Sequence, residues 1–125
     1  MANGTIAFDT LSTSGQISGT AVSVDTDYLA YGSAKVWIQL NGSGTIATQD
    51  SLNVSGITDN GTGDYTSTFS SNMNNDDWSG WASSEGGENA VSAVTTSTFR
   101  TLVKNSSGTL SDVSIVMQGL MGDLA

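Results

Sequence analysis

Ala34-Lys35-Val36-Trp37-Ile38-Gln39-Leu40 is the stretch on which the fold class turns. In an extended chain successive side chains point to opposite faces. Ala34, Val36, Ile38 and Leu40 therefore share one side, and Lys35, Trp37 and Gln39 share the other. The first side is a core face. The second carries an indole that also needs cover, so this strand either lies between two apolar layers or turns its second face to another subunit. Lys35, Trp37 and Gln39 are accordingly the candidate interface residues. Asn41-Gly42-Ser43-Gly44 then turns the chain, with glycines free to take positive φ.

The same alternation recurs downstream. Thr45–Thr48 has strand composition. Leu52 and Val54 share a face in a run toward Ile57, and Gly56, where the phase slips, predicts a bulge. Asp59-Asn60-Gly61-Thr62-Gly63-Asp64 is a hairpin signal between two alternating runs. Tyr65, Ser67 and Phe69 line one face of the return strand. A polar stretch, Ser70–Asp77, leads to Trp78-Ser79-Gly80-Trp81 and a Gly/Ser/Glu loop reaching Asn89. Ala90–Thr96 and Phe99–Lys104 read as strands. Asn105-Ser106-Ser107-Gly108 turns into a last strand, Val113–Gln118, in which Val113, Ile115 and Met117 alternate.

Upstream, Thr5–Phe8 and Gln16–Val24 have strand composition, broken at Gly19. No segment sustains a 3.6-residue period over three turns. The expectation is an all-β, antiparallel β-sandwich or jelly-roll-like single domain over residues 33–125. Residues 1–32 form an N-terminal arm, extended or wrapped over a neighbouring subunit.

Composition excludes much chemistry. The 125 residues include no His, Cys or Pro, 12 Asp or Glu and 3 Lys or Arg, for a formal charge of -9. Without imidazole or thiolate, the common transition-metal sites and Cys- or His-dependent catalysis lose their ligands and bases. A chain with three cations lacks the footprint that a phosphate backbone requires, so no nucleic acid is expected as a partner. No apolar run approaches the ~20 residues of a membrane span, and Met1-Ala2-Asn3-Gly4 does not open like a signal peptide.

Two exposed-aromatic candidates stand out. Trp78 and Trp81 flank Ser79-Gly80 beside Asp76 and Asp77, a grouping suited to stacking on a sugar ring or to anchoring a receptor contact. The plainer reading is that the indoles close one end of the sandwich. Asn74-Asn75-Asp76-Asp77 could offer oxygens to calcium but reads better as a solvated acidic loop, so no metal is expected. Glu85 and Glu88, with Asp76 and Asp77, are the carboxylates available for glycoside hydrolysis, and nothing in the sequence raises a pKa. A non-catalytic protein without a cofactor is expected.

Ser33-Ala34-Lys35-Val36-Trp37-Ile38-Gln39-Leu40-Asn41-Gly42-Ser43-Gly44-Thr45-Ile46 resembles the opening of a β module in structural proteins of tailed bacteriophages, many of them marine and podovirus-like. The resemblance continues through Asp50-Ser51-Leu52-Asn53-Val54-Ser55-Gly56-Ile57-Thr58-Asp59-Asn60-Gly61-Thr62-Gly63-Asp64-Tyr65-Thr66, to Asn72-Met73-Asn74-Asn75, and again at Phe99-Arg100. It implies a virion protein made in the host cytoplasm and shown on the particle surface. The implied form is a fibre- or spike-type homotrimer that contacts other virion proteins and a host surface glycan. Capsid decoration protein is the alternative within that class, since shaft repeats and a heptad stalk are missing from the sequence. A monomeric carbohydrate-binding module is the alternative outside it.

Overall fold

A computed structural model describes residues 15–18 and 23–125. The chain is mostly antiparallel β-structure. A two-stranded ribbon, β1 (Gln16–Ser18) and β2 (Ser23–Asp25), leads into the helix α1 (Thr26–Gly32). Then follow β3 (Ala34–Asn41), β4 (Ala47–Leu52), β5 (Val54–Gly61), β6 (Asp64–Phe69), β7 (Ser79–Ser84), β8 (Glu88–Val94), β9 (Thr98–Lys104) and β10 (Val116–Met121). These eight form two four-stranded sheets, ordered β4-β3-β10-β7 and β5-β6-β9-β8. Thr5–Phe8, expected as a strand, lies outside the described residues.

The sheets stack through side chains that alternate inward. One buried cluster joins Val36 and Leu120 of the first sheet to Phe69 and Phe99 of the second, with Met73 beneath. A second joins Ile38, Leu40 and Val116 to Tyr65 and Val103. The core face expected of Val36, Ile38 and Leu40 is thus present, while Ala34, at the strand's start, stays exposed. The register shift at Gly56 and the hairpin between Asp59 and Asp64 are also where the residues predict them, with Gly61 at φ 130° and Gly63 at φ 65°.

Three expectations are corrected. Leu52 and Val54 do not share a face. Asn53 takes φ 57°, and the chain there crosses from one sheet to the other, leaving Leu52 in solvent and Val54 against the core. The amide of Asn53 fixes this corner, its Oδ1 accepting from Ser71 N at 2.7 Å and its Nδ2 donating to Ser71 O at 3.0 Å.

The last strand, expected over Val113–Gln118, runs over Val116–Met121. Val116, Gln118 and Leu120 point inward and Met117 outward. An inward glutamine is tolerated because Ser67 Oγ donates to its Oε1 at 2.5 Å. The stretch read as a loop between Trp81 and Asn89 is mostly strand, the end of β7 and the start of β8. The all-β expectation holds; α1, at seven residues, is too short to display a period.

Loops at one end are tied to Tyr65. Its buried hydroxyl lies 2.9 Å from both Gly42 O and Asp112 Oδ1 and shares one proton between them. Asp112 Oδ1 also accepts from Gly63 N at 2.7 Å. Burial first, and the Asp112 carboxylate second, hold this phenol well above its ordinary pKa.

Candidate functional site

The outer face of the β4-β3-β10-β7 sheet holds a row of residues in direct register: Leu52, Trp37, Gly119 and Trp81. Each step of the row is one strand spacing, roughly 4.8 Å, so the row crosses about 14 Å of sheet. Met117 lies one pair along on the same face, opposite Gln39 and Ser83. Leu52 is 47% exposed, Trp81 45% and Met117 40%, and Trp37 is half-buried. A large exposed apolar group set in a sheet face is the kind of feature that marks a contact surface.

Gly119 gives the row its shape. The Trp81 indole lies across it, in the space a side chain at that position would occupy. The missing Cβ lets the ring lie down on the sheet. Around this apolar strip sit polar groups. Gln39 Nε2 donates to Gln49 Oε1 at 2.8 Å, and Lys35 Nζ donates to Ser33 Oγ at 2.6 Å and to Leu29 O at 3.3 Å. The three candidate interface residues Lys35, Trp37 and Gln39 therefore do lie on the face opposite the core, each half-buried.

The aromatic pair Trp78 and Trp81 is divided. Trp78 precedes β7 and turns inward, edge-on to Phe99 with ring centroids 5.3 Å apart and to Phe69 at 6.2 Å, its Nε1 donating to Thr95 O at 3.2 Å. It closes the end of the sandwich. Trp81, three residues later on the strand, points to the outer face. The expected Trp78–Trp81 platform is not assembled, and Trp37 rather than Trp78 shares a face with Trp81. Asp76 and Asp77 lie in an exposed turn before Trp78, where Asp77 N donates to Asn75 Oδ1 at 3.0 Å. Among the described residues no group of three carboxylates is arranged to hold a metal ion.

Glu85, weighed as a glycosidase acid, accepts from both the N–H and the hydroxyl of Ser114. The Ser114 hydroxyl foremost, and then its amide, lower the Glu85 pKa, the opposite of what a proton donor requires. On the other sheet, Arg100 grips Asp64 with two bonds, Nε to Oδ1 at 2.8 Å and Nη2 to Oδ2 at 2.5 Å. That pairing answers one of the chain's three cations internally. Among the described residues no helix is long and apolar enough to cross a membrane.

Sequence reasoning missed Leu52, Met117 and Gly119 as members of the site. Leu52 is grouped with Val54 in the sequence because the corner at Asn53 has no unambiguous signature, and the alternation of Val113, Ile115 and Met117 does not say which face Met117 takes. The chain matches no protein-family model, no curated protein and no solved structure.

Proposed function

We propose that the chain is a non-catalytic structural module of a tailed-phage virion, a homotrimer of fibre or spike type displayed on the particle surface. Its subunits associate through the outer face of the β4-β3-β10-β7 sheet. The observation that carries self-association is the apolar row Leu52–Trp37–Gly119–Trp81 with Met117 beside it. The virion assignment rests on the resemblance of residues 33–73 to the phage β module. Serine, threonine and asparagine surfaces lose little rotamer freedom when packed against a neighbour, which suits a subunit that is mostly interface. The sandwich's first and last strands, β3 and β10, lie side by side, while β3–β4, β5–β6 and β8–β9 pair within a sheet.

A charge of -9 per chain opposes association at low ionic strength, and salt screens that repulsion. Light scattering at low and at seawater-like salt tests the reading. A mass near three times 12.8 kDa at high salt is expected, falling to the monomer mass in Trp81→Ser/Met117→Ser. A monomer at both salts would end it. Antibody labelling of particles separates fibre from capsid decoration, since label over the icosahedral shell favours the latter. The exposed, flat-lying Trp81 also favours a second reading, a monomeric carbohydrate-binding module. Glycan binding by a monomer, abolished in Trp81→Ala, would select it.

A further inference from the structure

Helix α1 has no buried residue: Tyr28 is 77% exposed, Tyr31 56% and Leu29 48%. A seven-residue helix does not hold its shape in water by propensity alone, so this one needs a surface to lie on. Only Ser33 separates it from β3. Ser33 Oγ donates to Leu29 O at 2.6 Å, and Lys35 Nζ donates to the same carbonyl, fixing the helix end while its apolar side chains stay in solvent. Among the described residues, α1 and the Trp37–Trp81 face both stay uncovered, and neither covers the other within one subunit.

Their sizes agree. Seven helical residues span roughly 10 Å, within the width of the four-strand row. Two tyrosines and a leucine bury on the order of 450 Å². With an equal area on the sheet, one contact approaches about 1,000 Å², the lower bound for a specific interface. Charge neither drives nor blocks the fit: Asp27 is the only charged side chain of α1, and the receiving face carries both Lys35 and Asp50.

We infer that α1 of one copy docks on the outer face of the β4-β3-β10-β7 sheet of the next, with Tyr28, Leu29 and Tyr31 packing on Trp37, Trp81 and Met117. Such a contact is heterologous: each subunit gives a helix and receives one, and in the proposed trimer three such contacts close the ring. This inference rests on the self-association proposed above and names its occupant.

Complementation tests it. Tyr28→Ser/Tyr31→Ser keeps the face and loses the helix anchor; Trp81→Ser/Met117→Ser keeps the helix and loses the face. Because all four side chains are exposed, both variants should retain the wild-type far-UV spectrum. Each alone is expected at the monomer mass, and an equimolar mixture at twice 12.8 kDa, through one helix on one intact face. Retention of the wild-type oligomer by Tyr28→Ser/Tyr31→Ser overturns the helix as occupant while leaving face-mediated association standing. A mixture that stays monomeric overturns the heterologous contact. A monomeric wild-type chain removes the underlying reading and this inference with it.

Discussion

The Trp81 indole rests directly on Gly119: a Cβ built on that glycine would stand 2.4 Å from Cζ2 and 2.6 Å from Cε2 of the ring. Contacts that short do not occur, so an alanine at 119 must lift the indole off the sheet. Trp81 has solvent on its other side and can move, which keeps the folding cost of Gly119→Ala to about 1 kcal/mol. The expected signature is a red shift of tryptophan emission with a weakened oligomer and a nearly unchanged melting temperature. An unchanged oligomer mass would show that the flat ring is irrelevant to association.

The buried Ser67–Gln118 bond predicts strong non-additivity. Ser67→Ala strands the Gln118 Oε1 acceptor in the core, and Gln118 Nε2 already has no acceptor among the described residues. Losing the one partner should cost about 1–3 kcal/mol. Ser67→Ala combined with Gln118→Met removes both polar groups and should recover most of that loss or more. Urea titration of the four proteins in a double-mutant cycle measures the coupling.

Asp64 sets an acid limit. Its bond to Arg100 holds the carboxyl below the ordinary carboxylate range, against the opposing effect of burial. A carboxyl lowered on folding contributes stability in full above its unfolded pKa, near 3.8, and loses it as pH falls through the lower folded value. The wild-type chain should therefore lose stability below about pH 4, and Asp64→Asn should flatten that limb. At neutral pH the same substitution should cost about 1 kcal/mol, a modest figure because the Arg100 side chain remains 41% exposed to solvent. Thermal melts of both proteins from pH 2 to 7 check the sign and the window.

Asn53 serves the corner twice, by tolerating φ 57° and by bonding both backbone groups of Ser71. Asn53→Gly keeps the backbone freedom and loses the two bonds. Asn53→Ala loses both advantages and should be the less stable variant by about 1 kcal/mol. Equal stabilities in chemical denaturation would mean that the bonds alone hold the corner.

The sequence was most readable where two signals agree. In β3 the alternation Val36, Ile38, Leu40 and the glycines that follow point to one answer, and between β5 and β6 the Asp-Asn-Gly run marks its own hairpin. It was least readable where a tertiary partner overrides local pattern. Gln118 faces inward only because Ser67, on the opposite sheet, meets it, and nothing near residue 118 announces this. The Ser79–Ser84 segment has the composition of a loop and becomes a strand by pairing with β10, which is what carries Trp81 to the outer face. The site was therefore half visible. Lys35, Trp37 and Gln39 could be placed by alternation alone, whereas Gly119 becomes meaningful only once β7 is set beside β10.

The pairing of β3 with β10 has a consequence for how the chain comes to be made. Leu40 finds its partner in Val116, and Val36 finds its partner in Leu120, so the centre of one sheet is completed by residues synthesised after the other seven strands of the sandwich. The hairpins β3–β4 and β5–β6 can form early, yet the strand that lies between β3 and β7 arrives after the other seven. Contacts so distant along the chain close slowly, because the intervening loop must be ordered first. While translation runs, the apolar side of β3 waits uncovered, and a chain released before Met121 has no means of joining β3 to β7.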